Sequence, residues 1–185
     1  MAERTGVRLG PGGPHVGQGT RNWLGRLGPS SYLELIGPDP DQPAPASPRP
    51  FGVDDLAEPT VVAWCIRRDD LDALGPLGAR AGVAFGAPFT MEREAPNGTL
   101  RWRLSLPDGD PAAGLVPFFI DWMDSTHPAT TSVDGLRVTE LFGEHPDRPR
   151  VGAMLRALDV ELEVRDGAVA GLHVTLAGPD GEINW

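Results

Sequence analysis

The chain has 185 residues, 16 basic and 26 acidic side chains for a formal net charge of −10, and an apolar fraction of 40%, enough to bury one core. All the basic residues are arginine; without lysine, Schiff-base chemistry, a pyridoxal-binding lysine and the phosphate-loop lysine are excluded, and an acidic chain with no basic stripe argues against a nucleic-acid partner. Cys65 is the single cysteine, which excludes internal disulfides and cysteine-rich zinc or iron–sulfur sites, and 24 Gly with 20 Pro imply many turns and few long helices.

Residues 1–18 are rich in glycine and proline and lack periodicity, so Arg4-Thr5-Gly6-Val7 reads as a helix exit leading into a loop or edge strand. His15 lies in Gly12-Gly13-Pro14-His15-Val16-Gly17, where glycines let backbone and ligand approach closely; a solvent-facing loop histidine is the equal alternative. Two strands follow between Gly19 and Ile36, joined by Gly28-Pro29-Ser30-Ser31. Glu34 stands inside the second, and a carboxylate in an otherwise apolar strand is costly to bury unless it is paired or bound to a metal. Residues 38–59 form a proline-dense connector suited to a spacer, in which Phe51 either tacks down a surface loop or lends a ring to a pocket edge.

The second unit, residues 60–124, opens with the apolar strand Thr60 to Ile66, where Cys65 is expected to be a small buried hydrophobe. A helix opened by Asp69 or Asp70 keeps Leu71, Leu74 and Leu77 on one face and is kinked or shortened by Gly75-Pro76. A tight turn at Asn97-Gly98 and the strands Leu100 to Leu106 and Leu115 to Trp122 complete it. Beyond Asp121 the polar cluster Asp124-Ser125-Thr126-His127 sits at a strand end, where sites tend to be built.

The last unit, residues 136–185, reads as a strand from Leu136 to Phe142, a helix behind Asp147 and Pro149 carrying Val151, Met154, Leu155 and Leu158, and a hairpin of residues 160–164 with 169–176. His145 and His173 repeat no partner spacing and are taken as structural or solvated. No signal peptide or apolar span of membrane length is present, so a soluble, cytoplasmic chain with no membrane partner is expected.

The first two units repeat. Gly98-Thr99-x-x-Trp102 matches Gly19-Thr20-x-x-Trp23, and Phe119-Ile120-Asp121 matches Tyr32-Leu33-Glu34, each copy closing on an acid. Upstream of the first copy only the helix exit remains, so residues 1–37 read as a unit lacking its opening strand and helix. The fold expected is therefore α+β, tandem βαβββ units with the first one incomplete, plus a C-terminal βαββ element.

These units, together with the wording Gly13-Pro14-His15-Val16-Gly17-Gln18-Gly19-Thr20-Arg21-Asn22, Tyr32-Leu33-Glu34-Leu35-Ile36-Gly37 and Pro117-Phe118-Phe119-Ile120-Asp121-Trp122, resemble the glyoxalase-like subgroup of the vicinal oxygen chelate superfamily. The resemblance implies sheets curled into a cup that holds a small molecule and commonly a divalent metal, whether Zn, Fe, Ni, Mn or Mg. Carried onto this chain it implies Glu34 and His15 as metal ligands, with Glu34 and Asp121 as the catalytic acids, Asp121 being the general base. Trp23, Trp102 and Trp122 would wall the pocket, with Arg21 or Arg101, Asn22 and His127 as substrate-binding groups; each aromatic is equally well a core residue. The activity implied is proton transfer or isomerisation on a substrate with vicinal oxygens, and the competing readings are a metal-free binding module or a truncated, non-catalytic paralogue. An uncovered sheet edge would favour a partner chain, including a homodimer.

Overall fold

Frequent glycine and proline keep the elements of this α+β fold short: among the described residues no strand exceeds nine residues and no helix exceeds ten. The computed structural model describes residues 1–95 and 98–185; Pro96 and Asn97, where the sequence predicts a tight turn, lie outside the described residues. A one-turn helix, α1 (Ala2–Thr5), leads into three antiparallel strands, β1 (Gly10–His15), β2 (Thr20–Gly28) and β3 (Ser31–Pro38), with β2 in the middle. The connector contains one 3-10 segment, Pro50–Asp55.

The second sheet is formed by β4 (Cys65–Arg67), β5 (Phe89–Ala95), β6 (Gly98–Ser105) and β7 (Phe118–Asp121), in the order β4-β7-β6-β5, with β4 parallel to β7. The run from Thr60 predicts a longer opening strand than the three residues of β4. Pro117 has no N–H, so the ladder along β7 starts only at Phe118, whose N–H donates to Trp64 O at 3.2 Å. Helix α2 (Leu74–Ala81) begins later than predicted, because Asp70 closes a preceding turn by accepting from the Ala73 N–H at 3.2 Å. Pro76 thereby falls in the first helical turn, where a missing N–H costs nothing.

The third sheet comprises β8 (Arg137–His145), β9 (Val164–Asp166), β10 (Gly171–Gly178) and β11 (Gly181–Asn184), in the order β11-β10-β8-β9, with α3 (Arg148–Ala157) between β8 and β9. Asp147 caps α3 by accepting from the Arg150 N–H at 3.2 Å. Two expectations are corrected here. Residues 160–176 form no hairpin: the α3 crossover returns β9 parallel to β8, while β10 pairs antiparallel on the other side of β8. The element is also one strand richer than βαββ, because the short, polar β11 pairs with β10 across a Gly178-to-Gly181 turn, and four residues carry too little alternation to be read as a strand. His173 stacks on Phe142 with ring centroids 4.8 Å apart, and His145 Nδ1 accepts from the Asp147 N–H, so both have local partners as expected.

The main core lies between the sheets and the two longer helices, where Leu71, Leu74, Leu115, Phe119, Val151, Leu155 and Leu158 are buried together. A second cluster, Trp102, Ile120 and Trp122, packs on the opposite face of the second sheet against Tyr32. The N-terminal turn is tied to the far end of the chain, the Asp180 N–H donating to Thr5 O at 3.2 Å. Among the described residues no helix is long and apolar enough to cross a membrane. Phe119 is fully buried whereas Leu35 is 38% exposed; Phe119→Ala should cost about 3–5 kcal/mol and Leu35→Ala roughly 0.5 kcal/mol or less, read from urea unfolding midpoints.

Candidate functional site

Period-two alternation along β2 and β3 sets which side chains meet. The registers His15↔Thr20, Leu24↔Glu34 and Arg26↔Tyr32 put His15, Thr20, Asn22, Tyr32 and Glu34 on one face of the first sheet. Glu34 Oε1 accepts from Asn22 Nδ2 at 2.7 Å and lies 3.5 Å from His15 Nε2, while His15 Nδ1 is 2.9 Å from Thr20 Oγ1. The His15 side chain is 13% exposed and that of Glu34 30%, so both are reachable but largely dried. Gly12 makes the packing possible, since a Cβ there would collide with the Asn22 amide. Asn22 is itself buried, and its Oδ1 has no hydrogen-bond partner among the described residues.

The facing wall comes from the second sheet. Tyr32 meets Trp122 and His127 edge-on, with ring centroids 6.4 and 5.5 Å away, and Trp102 lies 5.6 Å from Trp122. Arg93 on β5 donates through Nη1 to Gly12 O and so clips the two sheets together. Burial above all, then the Glu34 carboxylate and then Cys65, pushes the Tyr32 phenol well above its ordinary value. Burial and Glu34 likewise push up the Cys65 thiol. Cys65 is nevertheless solvent-accessible, which corrects the expectation of a buried hydrophobe. Both groups keep their protons at neutral pH. His127 is held below its ordinary value by burial and then by Arg67, and its Nδ1 accepts from the Ala129 N–H at 3.2 Å, which leaves the ring proton on Nε2.

The structure brings together Glu34, His15, Asn22, Trp102, Trp122 and His127 and leaves out four other predicted residues, Asp121, Trp23, Arg21 and Arg101. Arg103↔Asp121 and Leu104↔Ile120 are paired, so Asp121 shares the helix-facing side of β7 with Phe119, and its Oδ1 accepts from the Met123 N–H at 2.8 Å. It does not reach the Glu34 face. Matching Asp121 to Glu34 by sequence is one residue out of phase, and a one-residue slip flips every side chain of a strand. Trp23 and Arg21 lie on the reverse of β2 from Asn22, with the Arg21 guanidinium 5.8 Å from the Trp23 ring and paired to Asp39 at 3.4 Å and Asp41 at 3.1 Å. Arg101 is paired with Glu92 at 3.0 Å. Tyr32 and Thr20, absent from the sequence-derived site, were findable by the same period, since Tyr32 is two residues from Glu34 on one strand.

Two surface grooves, about 690 Å³ along α3 and about 240 Å³ between α2 and α3, lie away from this face. Chemistry, not groove volume, therefore marks the site. Among the described residues no three His, Cys, Asp or Glu side chains converge on one point.

Residues 1–158 match the family described as a glyoxalase-like domain. The fold is similar to that of a hypothetical protein from Staphylococcus aureus, with a TM-score of 0.59 at 18% identity over 96% of this chain and 75% of that one. No protein of curated function matches.

A histidine whose folded pKa lies below its unfolded value binds fewer protons in the folded state, so stability holds above the unfolded value and falls as pH drops through the folded one. With His127 lowered from 6.5, the thermal midpoint should decline as pH falls from 6.5, and His127→Gln should flatten that decline when the two proteins are melted side by side.

Proposed function

Because the chain belongs to the glyoxalase-like domain family, we propose that the face shared by its first two sheets is a small-molecule site, at which Glu34 moves a proton on a substrate bearing two neighbouring oxygens. The His15–Glu34 pair carries this reading. Its donor atoms lie 3.5 Å apart, and two ligands about 2.0–2.2 Å from a tetrahedral ion stand roughly 3.4 Å apart. One imidazole and one carboxylate at that spacing fit as two ligands of a divalent cation, Zn, Fe, Ni, Mn or Mg. Such an ion, when bound, supplies Lewis-acid polarisation of the substrate oxygens.

The chain's own groups divide the remaining work. Oε1 of Glu34 faces His15 and Asn22, leaving Oε2 to take the substrate proton. With Asp121 on the opposite face, Glu34 is the carboxylate left for that role. Tyr32 keeps its proton and offers a hydrogen bond to a substrate oxygen, and Trp102, Trp122 and the neutral His127 ring exclude water behind it. One observation favours a second reading, a metal-free binding module: the Asn22 amide already occupies, at 2.7 Å, the carboxylate oxygen that faces His15.

Calorimetric titration of the purified protein with Zn²⁺ and Ni²⁺ separates the two. About one ion per chain is expected, with affinity lowered at least roughly tenfold by Glu34→Ala and by His15→Ala, since disturbing even the supports of a ligand costs that much. Uptake that neither substitution changes, or no uptake at all, would overturn the metal reading and leave the binding module.

A further inference from the structure

The connector between the first two sheets reaches back across the turn that follows His15. Gln42 Oε1 accepts from the Gly17 N–H at 3.1 Å, and Gln42 Nε2 donates to Thr20 O at 3.1 Å and to Asp39 Oδ2 at 2.9 Å. Seven residues on, Arg49 Nε donates to Gly19 O at 2.8 Å. Pro45 packs against the α-carbon of Gly19, which stands at φ +65°, so that a Cβ there would strike the proline ring. Asp39, the anchor for Gln42, is buried at 3% exposure. One side-chain amide thus spans the turn from Gly17 to Thr20, accepting at one end and donating at the other.

Thr20 passes this constraint on. It is the register partner of His15, and its hydroxyl lies 2.9 Å from His15 Nδ1, the ring nitrogen opposite the one that faces Glu34. We propose that Gln42 is a positioning residue: it fixes the width of the Gly17-to-Thr20 turn, hence the Thr20 hydroxyl, hence the ring orientation and tautomer that present His15 Nε2 to Glu34, a role that rests on His15 and Glu34 being the site. The amide chemistry is specific. Leucine fills the same space and makes none of the three bonds, and glutamate sets a second carboxylate against Asp39 while losing the donor to Thr20 O.

The test reads the His15 ring directly, by nitrogen–proton correlation NMR at pH 8, in wild type, Gln42→Leu and Thr20→Val, with Zn²⁺ titrated into each. One dominant tautomer is expected in wild type; both substitutions should shift the ratio toward that of a free imidazole and weaken Zn²⁺ binding about 10–100-fold, the usual effect of removing an outer support. A Gln42→Leu protein with the wild-type tautomer ratio overturns the inference, whatever Zn²⁺ does. A shifted ratio in a protein that takes up no Zn²⁺ upholds the positioning role and sinks only the metal reading. Should Gln42→Leu not fold, Gln42→Asn, whose amide is one methylene too short to span the turn, is judged by the same ratio.

Discussion

The structure depends on β7 being buried on both faces. Phe119 enters the core formed with α2 and α3, and its neighbours Ile120 and Trp122 point the other way, against Tyr32. A one-residue slip would turn Phe119 toward Tyr32 and send Ile120 and Trp122 into the helix-side core, exchanging side chains between two differently shaped packings, so the register is pinned. That register orients the second sheet, and Tyr32, Arg93 and Trp122 then bring the first sheet onto it. The position of the Glu34 face against the second sheet follows from this packing.

Within that face burial comes first, and one carboxylate second, in shaping the protonation of its neighbours. Burial, and after it Glu34, raises the Tyr32 phenol and the Cys65 thiol, so both keep their protons. One hydrogen bond from Asn22 holds the carboxylate, and Thr20 holds the histidine beside it. Each support is itself tied to a neighbour. Asn22 needs Gly12 for space, and the Thr20 carbonyl is held by Gln42 from the connector. A proline-rich segment that reads as a spacer is therefore tied to the turn beside His15.

Much of this is legible in residue order. Glycine and proline mark most of the turns, Asp147 and Pro149 announce α3, and an acid inside an apolar strand singles out Glu34. The misreadings share one cause. Trp23 and Trp102 occupy matching places in the repeat yet opposite sides of their sheets, and Asp121 matches Glu34 in sequence but points at the helices. A repeat found by letters has an uncertainty of a residue, and in a strand one residue is a change of face.

Residue order alone is enough for the kind of protein: a strand-rich α+β chain resembling glyoxalase-like domains, with Glu34 and His15 as candidate site groups. Those features are written in composition, turn residues and local patterning, which act over a few residues. Long-range packing settles that β9 runs parallel to β8, that Cys65 is open to solvent, that Tyr32 and Thr20 share the Glu34 face while Asp121, Trp23 and Arg21 do not, and that Gln42 reaches the turn beside His15. These depend on strand register and on contacts between distant segments, whose energies come from burial and hydrogen bonding across the whole fold.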